Sequence, residues 1–303
     1  MAIPTLEDRL LGLKEQRNAV ILAHNYQRGE VQDIADFTGD SLGLSRQAAA
    51  TQAEVILFCG VHFMAETAAL ICPDKTVLIP DLHAGCPMAN MVTPRELAEM
   101  KARHPDAAVV TYVNSTAAIK AMSDVCCTSA NAIEVVRSIP ADREVLFVPD
   151  QSLGGYVSRQ LGRPIILWGG YCPTHHRILA SDVARRKAEH PDALFVCHPE
   201  CTADVIALAD EVASTSGMLR YCAESPATEF IIGTEIGLLH TLRKANPAKT
   251  FLDVSPLADC PNMKLTTIEK MVWALEDMAH KVEVPPDIAA KARGAIERML
   301  AIS

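Results

Sequence analysis

The chain has 303 residues, of which 49% are hydrophobic and 21% are charged. This composition is typical of a folded globular protein and excludes a disordered one. The 28 Lys and Arg against 37 Asp and Glu give a net charge of −9. No chain-wide positive field therefore favours nucleic acid or an anionic membrane surface, and an anionic ligand needs local binding groups.

An early proline and several acids occupy the N-terminal region, where a secretory signal needs a positive flank and an apolar run. No stretch approaches the ~18 uninterrupted apolar residues that span a bilayer. We therefore expect a cytoplasmic protein, whose ten cysteines do not form a disulfide framework. Seven of them are predicted to be buried packing residues: Cys59, Cys72, Cys126, Cys127, Cys197, Cys201 and Cys222.

The chain repeats itself at a period of nearly 90 residues. Three Cys-Pro pairs, at Cys86, Cys172 and Cys260, are 86 and 88 residues apart, and His-Pro-Asp-Ala occurs at 104 and again at 190. Such self-similarity indicates a repeated structural unit. The predicted division is 18–103, 104–189 and 190–270 for the three units, with terminal helices in 1–17 and 271–303.

The predicted elements follow the same order in every unit. A first strand (19–24, 108–113, 193–198) is followed by a helix and a short apolar link, then by a strand (55–59, 145–148, 230–233), a helix and a last strand (76–80, 164–168, 250–254). Alternating strands and helices of this length predict parallel sheets covered on both faces. The fold class is therefore α/β: three similar units with short parallel sheets flanked by helices, about a pseudo-threefold axis with a central active site.

Each of the three cysteines comes shortly after the last strand of its unit. Because parallel α/β units place functional groups beyond the carboxyl ends of their strands, inward-facing units would bring the three thiols together. Two cofactors fit three thiolates: zinc, with His175 as a fourth ligand, or an iron–sulfur cluster with one iron open to substrate as a Lewis acid. Two alternatives are a repeated turn shape without any ligand and a second metal site at Cys197 and Cys201.

Polar side chains follow the first strand of each unit. They occur in His24-Asn-Tyr26, Tyr112-Val-Asn114 and His198-Pro-Glu200, and they supply the bases, acids and donors that proton transfer around a carbonyl requires. The alternative is that these groups only satisfy loop backbone. Hydroxyls end the apolar links, where Ser41, Ser129 and Ser216 are candidate helix N-caps and, with Ser214 and Thr215, candidate anion-binding groups.

Several specific segments resemble the quinolinate synthase family over nearly the whole chain. They are His24-Asn-Tyr-Gln27, Gly39-Asp-Ser-Leu-Gly43, Phe58-Cys-Gly-Val-His-Phe-Met-Ala-Glu-Thr67, Ala84-Gly-Cys-Pro-Met-Ala89, Tyr112-Val-Asn-Ser115, His198-Pro-Glu-Cys201, Ile232-Gly-Thr-Glu235 and Cys260-Pro-Asn-Met-Lys-Leu265. The resemblance implies three α/β domains about a pseudo-threefold axis. It also implies one [4Fe–4S] cluster, held by Cys86, Cys172 and Cys260.

The family condenses iminoaspartate with dihydroxyacetone phosphate, releasing phosphate and water, to form quinolinate for NAD biosynthesis. The resemblance implies acid/base roles for Glu200 and Tyr26, and carbonyl binding by Tyr112 and Asn114. It further implies that phosphate and carboxylates are bound by His24, His198, Ser41, Ser129 and Thr215. Expected partners are these small molecules and an iminoaspartate-producing enzyme, with no nucleic acid and no membrane. Two rival functions are a zinc- or cluster-stabilised non-catalytic scaffold or sensor and an aconitase-like hydro-lyase.

Overall fold

A computed structural model of the chain describes residues 5–302. Residues 1–4 and 303 of the predicted terminal segments lie outside the described residues. Within the described part, all strand pairs inside the sheets are parallel, and the strands form three sheets of four. The strands are β1 (Ala19–His24), β2 (Phe37–Gly39), β3 (Val55–Cys59), β4 (Thr76–Leu78), β5 (Ala108–Tyr112), β6 (Val125–Cys127), β7 (Val145–Val148), β8 (Ile166–Leu167), β9 (Leu194–Cys197), β10 (Glu211–Val212), β11 (Glu229–Gly233) and β12 (Thr250–Asp253).

The three sheets have the same strand order. They run β2-β1-β3-β4, β6-β5-β7-β8 and β10-β9-β11-β12, which confirms the prediction of three similar parallel α/β units. The unit boundaries and the pseudo-threefold axis stay predictions. One feature was missed: each apolar link contains a two- or three-residue edge strand, β2, β6 or β10. So short a strand shows no alternation of side chains by which a sequence could reveal it.

Helices cover the sheets and form the terminal segments. They are α1 (Leu6–Gln16), α2 (Gly29–Ile34), α3 (Ser41–Ala50), α4 (His62–Ile71), α5 (Pro94–Arg103), α6 (Ala117–Lys120), α7 (Ala132–Arg137), α8 (Gln151–Leu161), α9 (Ala180–Glu189), α10 (Ala203–Ile206), α11 (Thr215–Glu224), α12 (Leu238–Ala245), α13 (Ile268–Asp277) and α14 (Pro286–Ala301). Within residues 5–302, none combines the length and apolar character needed to cross a bilayer.

Alternating strand residues divide the apolar interior into one shared core and three outer layers. Leu22, Val110 and Val196, from the first strands of the three units, all belong to the shared core. Their sequence neighbours point the other way into separate outer layers: Ile21, Val109 and Phe195. Since side chains alternate across a strand, one face of every sheet belongs to the shared core and the other to an outer layer.

The terminal helices pack on different parts of this assembly. Helix α14 buries Ala292, Ile296 and Met299 in the shared core, where it contacts α4 of the first unit and α6 and β6 of the second. Helix α1 lies along α13, and Leu10 and Met271 share the outer layer of the first sheet. The C-terminal helix therefore joins two units.

The repeated His-Pro-Asp-Ala segment is a helix-ending turn. His104 and His190 are the C-caps of α5 and α9, and their carbonyls accept the amides of Ala107 and Ala193 at 3.2 and 3.1 Å. Proline cannot continue a helix, so the segment ends one helix just before the first strand of the next unit.

A second repeated feature, which the sequence did not reveal, joins the first strand of every unit to the edge strand beside it. Asp36, Asp124 and Asp210 each accept, through a carboxylate oxygen, the backbone N–H of the first-strand residue 15 positions earlier, at 2.8, 2.8 and 2.7 Å. The amide of each aspartate donates back to the same residue's carbonyl, at 3.0, 3.0 and 2.8 Å. The edge strand of each unit is thus anchored where it begins.

We expect Asp124→Ala to lower the free energy of unfolding by about 1–3 kcal/mol, because it leaves the part-buried amide of Val109 without an acceptor. Urea denaturation followed by circular dichroism measures this change. Asp142→Ala, at an exposed position of the same unit, is the matched control and should have little effect. Equal stabilities of the two variants would contradict the anchoring role.

Candidate active site

One cavity of about 980 Å³ opens where the carboxyl ends of the three sheets meet. Its lining comes from all three units. The structure places these predicted cofactor, catalytic and substrate residues on this lining: His24, Tyr26, Ser41, Cys86, Tyr112, Asn114, Ser129, Cys172, His198, Glu200, Thr215 and Cys260. Ser214 and Ser216, also named as candidate anion-binding groups, are not part of it. The individual roles of all these residues stay predictions.

The three repeat cysteines differ from the other seven in exposure. Cys86, Cys172 and Cys260 are half-buried, whereas the seven predicted packing cysteines are all fully buried, which confirms their burial. Burial raises the pKa of the Cys86 thiol to about 12 and also raises the pKa values of Cys172 and Cys260. These thiols therefore stay protonated at neutral pH unless a cation binds them.

A buried ion pair holds the loop that carries Cys260. Glu235 Oε1 accepts the Cys260 amide at 3.0 Å and lies 2.8 Å from Lys264 Nζ. Burial raises the pKa of Glu235, and the ammonium of Lys264 opposes that shift. Lys264 Nζ also donates to the carbonyl oxygen of Tyr26 at 2.5 Å. The third cysteine of the cavity is therefore tied to the Tyr26 turn of the first unit.

Glu200 is a buried carboxylate that contacts groups from two units. Its Oε2 lies 2.7 Å from His175 Nδ1 and 3.6 Å from His198 Nδ1, and its Oε1 accepts from Asn114 Nδ2 at 3.4 Å. Burial alone would raise the pKa of Glu200, but the facing imidazoles and a hydrogen bond from Tyr112 outweigh it, so the pKa is lowered to about 2. The carboxylate is therefore ionised inside the cavity and can accept a proton.

Two imidazoles occupy equivalent positions in the first and third units. His24 Nδ1 accepts the amide of Tyr26 at 3.1 Å, and His198 Nδ1 accepts the amide of Glu200 at 3.3 Å. Burial lowers the pKa of His24 to about 4 and that of His198 to about 3. Both rings are therefore neutral, with the proton on Nε2; His198 Nε2 lies 3.1 Å from Ser129 Oγ.

The two phenols of the cavity keep their protons. Burial, reinforced by the charge of Glu200, raises the pKa values of Tyr26 and Tyr112 well above their usual range. Tyr26 Oη lies 2.6 Å from Thr234 Oγ1. Both phenols can therefore act as hydrogen-bond donors or general acids toward a bound oxygen.

The N-cap predictions for Ser41, Ser129 and Ser216 are wrong. The caps are Asp40 for α3, Asn131 for α7 and Ser214 for α11. Asp40 and Ser214 accept the amides of Gly43 and Gly217 at 2.8 and 3.2 Å. Asp40 lies one residue before Ser41, and Ser214 lies two residues before Ser216. In the second unit, the turn from Thr128 to Asn131 moves the start of α7 two residues later than predicted.

Because other residues cap these helices, the hydroxyls of Ser41 and Thr215 are not used as caps, and both line the cavity beside the cap Asp40. Ser41 and Thr215 are the first residues of α3 and α11, so free backbone amides accompany their hydroxyls. Ser129 takes the corresponding place in the second unit, in the turn before α7, and its Oγ points to His198. Uncapped amides with hydroxyls at a helix start form a favourable place for an anion.

Several polar residues of the cavity region were not predicted as part of it. Thr234 links Tyr26 to His175, whose Nε2 lies 2.8 Å from Thr234 Oγ1, and Glu235 and Lys264 hold the Cys260 loop. Their sequence segments were identified, but nothing in spacing alone shows which side chains meet. Asn114 Oδ1 is buried and has no hydrogen-bond partner among residues 5–302; it can accept from a polar ligand.

Comparison with known proteins agrees with this geometry. The family model described as Quinolinate synthetase A protein matches residues 8–301. A protein of Geobacter metallireducens named quinolinate synthase is 60% identical over 302 residues, covering 100% of this chain and 99% of its own length. Another of that name, from Methanosarcina barkeri, is 56% identical over 297 residues, covering 98% and 97%.

A solved structure, that of E-1-hydroxy-2-methyl-but-2-enyl-4-diphosphate reductase from Plasmodium falciparum, aligns over 94% of this chain and 86% of its own. At 10% identity and a TM-score of 0.32, it is too distant to establish a shared fold. The family match and the similarity over whole chains are sufficient without it, and this chain belongs to the Quinolinate synthetase A protein family.

Proposed function

We propose that this chain is a quinolinate synthase, which condenses iminoaspartate with dihydroxyacetone phosphate to give quinolinate, phosphate and water. The observation that carries the proposal is the convergence, in one cavity, of three thiols, an ionised carboxylate, two phenols and anion-binding hydroxyls. The names of the relatives point to the same reaction.

We propose a [4Fe–4S] cluster held by Cys86, Cys172 and Cys260. These sulfurs, among the described residues, do not all lie within 4.8 Å of one another, whereas a single zinc ion with Zn–S distances of about 2.3 Å needs sulfurs at most about 4.6 Å apart. A cluster of several irons holds its cysteines farther apart than one ion, so this donor set fits a cluster better. When bound, the cluster would supply an open iron as a Lewis acid for substrate oxygens.

The hydroxyls and neutral imidazoles are proposed to bind the anionic ends of the substrates. Ser41 and Thr215 offer O–H and backbone N–H donors at helix starts, and Ser129 adds a hydroxyl from the second unit. His24 and His198 donate through Nε2 without carrying charge. Phosphate and carboxylates would thus be held by hydrogen bonds in a protein whose overall charge is negative.

Glu200 and Tyr26 are proposed to move protons during isomerisation, condensation and dehydration. Glu200, ionised between His175 and His198, can take a proton from carbon or nitrogen. Tyr26, protonated beside Thr234, can return one to a leaving oxygen. Tyr112 and Asn114, which both contact Glu200, are placed to orient a carbonyl beside it.

The chemistry of the substrates also suggests the compartment in which the protein functions and the kind of enzyme that supplies its iminoaspartate. Iminoaspartate carries an imine that water hydrolyses readily, so an enzyme that releases iminoaspartate nearby is the expected functional partner. Cysteines must be reduced to bind an iron–sulfur cluster, and the cytoplasm keeps thiols reduced. The proposed reaction requires neither nucleic acid nor a membrane. We propose that it functions in the cytoplasm.

Anaerobically purified protein should contain about four irons and four sulfides per chain, and it should form quinolinate from dihydroxyacetone phosphate and enzymatically generated iminoaspartate. Cys86→Ser, Cys172→Ser and Cys260→Ser should each abolish iron binding, because each substitution removes one cluster ligand. Cys222→Ala, at a buried cysteine outside the cavity, is the control and should keep its iron. Iron-free protein after anaerobic reconstitution would reject the cofactor, and an iron-loaded protein without quinolinate formation would reject the reaction.

Glu200→Gln and Tyr26→Phe should lower kcat by about 10²–10⁴-fold while iron content stays unchanged, because each removes one proton-transferring group without removing a cysteine. Steady-state kinetics and iron analysis on the same samples measure both quantities. Tyr221→Phe, on α11 and outside the cavity lining, controls for loss of a phenol. A non-catalytic scaffold would show no effect of either change.

The cluster-free protein should lose stability as the pH falls from about 6.5 towards 4. His24 and His198 have lowered pKa values of about 4 and about 3, whereas the unfolded chain binds protons at about 6.5. Between these pH values the unfolded state binds more protons than the folded state does. The free energy of unfolding therefore falls by up to about 1.4 kcal/mol per pH unit for each ring.

Urea denaturation at pH 7 and pH 5 tests this dependence. His24→Gln and His198→Gln should each lose less stability over that interval than the parent protein, because one titrating ring is gone. His83→Gln, at an exposed position, should behave like the parent. The same pH dependence in all four proteins would show that the two buried rings do not contribute.

A further inference from the structure

Three possible metal ligands lie close together in the cavity, and one of them, Cys172, is also a proposed cluster ligand. Cys172 Sγ, His175 Nδ1 and a Glu200 carboxylate oxygen all lie within 4.8 Å of one another. His175 Nδ1 is at the centre of the group, 3.1 Å from Cys172 Sγ and 2.7 Å from Glu200 Oε2. It is the sole group of three or more such ligands that the described part of the chain brings together at this spacing.

The spacing suits one small ion. Tetrahedral zinc with a thiolate, an imidazole and a carboxylate would hold its ligand atoms roughly 3.3–3.6 Å apart, given the usual bond lengths. To reach these values, His175 Nδ1 would need to move away from Cys172 Sγ by roughly 0.2–0.5 Å and from Glu200 Oε2 by roughly 0.6–0.9 Å. The ligand types, one soft sulfur, one imidazole and one carboxylate, suit zinc better than magnesium or calcium.

The surroundings also support a metal ligand role for His175. Its ring is 1% exposed, and its Nε2 lies 2.8 Å from Thr234 Oγ1. A metal-binding histidine typically donates its second ring N–H to an oxygen, which fixes the ring and leaves the other nitrogen free for the ion. In the metal-free site, Nδ1–H faces the ionised carboxylate of Glu200 at 2.7 Å. On metal binding this proton would move to Nε2, which would donate to Thr234, and the Nδ1 lone pair would bind the ion.

We propose that, in the cluster-free chain, Cys172, His175 and Glu200 bind one zinc ion and that this ion blocks cluster assembly. Binding releases the Cys172 thiol proton to solvent, moves the His175 ring proton from Nδ1 to Nε2 and forms three bonds to zinc, which leaves a fourth position for water. Cys172 is then unavailable to iron. Zinc binding itself is independent of the proposed function; only the blocking of assembly rests on Cys172 being a cluster ligand.

Cobalt(II) replaces zinc in such sites and reports its ligands by absorption, so titration of the anaerobic, cluster-free full chain with cobalt tests the site. One cobalt per chain should bind, with thiolate charge-transfer absorption and tetrahedral visible bands. Cys172→Ser, His175→Gln and Glu200→Gln should each weaken binding by more than about 100-fold, and Thr234→Val by about 10-fold, as expected for an outer-shell partner. Competition with zinc then gives the zinc affinity.

Three matched variants distinguish this site from one built on the three repeat cysteines. Cys86→Ser and Cys260→Ser should leave cobalt binding unchanged although they abolish iron binding, and His176→Gln, at the neighbouring imidazole that contacts Ser152, should also leave it unchanged. Loss of cobalt in Cys86→Ser or Cys260→Ser would instead indicate a three-thiolate site and overturn the proposal. Unchanged binding in His175→Gln, with circular dichroism showing a folded protein, would overturn it as well.

Reconstitution in the presence of zinc tests the blocking step. One equivalent of zinc should reduce the iron incorporated by the parent protein several-fold, and should reduce it much less in His175→Gln. If cobalt binds as expected but zinc does not change iron uptake, the metal site is confirmed and the proposal that zinc blocks cluster assembly is wrong. If no cysteine substitution alters iron content, the proposed cofactor fails, and the cobalt titration still decides the zinc site.

Discussion

The architecture depends on one packing constraint: each of three parallel sheets buries one face in the same apolar core. Leu22, Val110 and Val196 all belong to this core, while their sequence neighbours turn outward to separate layers. Because apolar burial is the main favourable term in folding, no sheet can leave this arrangement without exposing a large area. The carboxyl ends of the sheets consequently open onto one cavity, and loops from all three units supply its lining.

Within that cavity, two buried carboxylates face groups that stabilise their charge. Glu200 stays ionised because imidazoles and a phenol face it, and Glu235 is paired with Lys264. The repeat thiols, the two phenols and the rings of His24 and His198 instead respond to burial by staying neutral. They present hydrogen-bond donors to the cavity, which suits a sequence of proton transfers on an anionic substrate.

Most of the fold could be predicted from the sequence because its strands are apolar runs that recur at one period. The strands around Val20, Ile56 and Phe147, for example, are buried on both faces and stand between clear turn residues. The edge strands and the true N-caps were missed, since strands of two or three residues and cap shifts of one or two residues leave no periodic pattern. The set of cavity residues followed from their place at strand ends. Their partners, such as Thr234 for His175, did not, because tertiary contacts carry no sequence spacing.

The burial of seven cysteines and partial exposure of three has a consequence for the chemistry of the chain in air. Thiols in the interior are out of reach of oxidants and alkylating reagents, so they pack as small apolar groups. Of the ten thiols, Cys86, Cys172 and Cys260 are the ones that are partly exposed. Reagents and metal ions from solvent therefore reach the same three sulfurs.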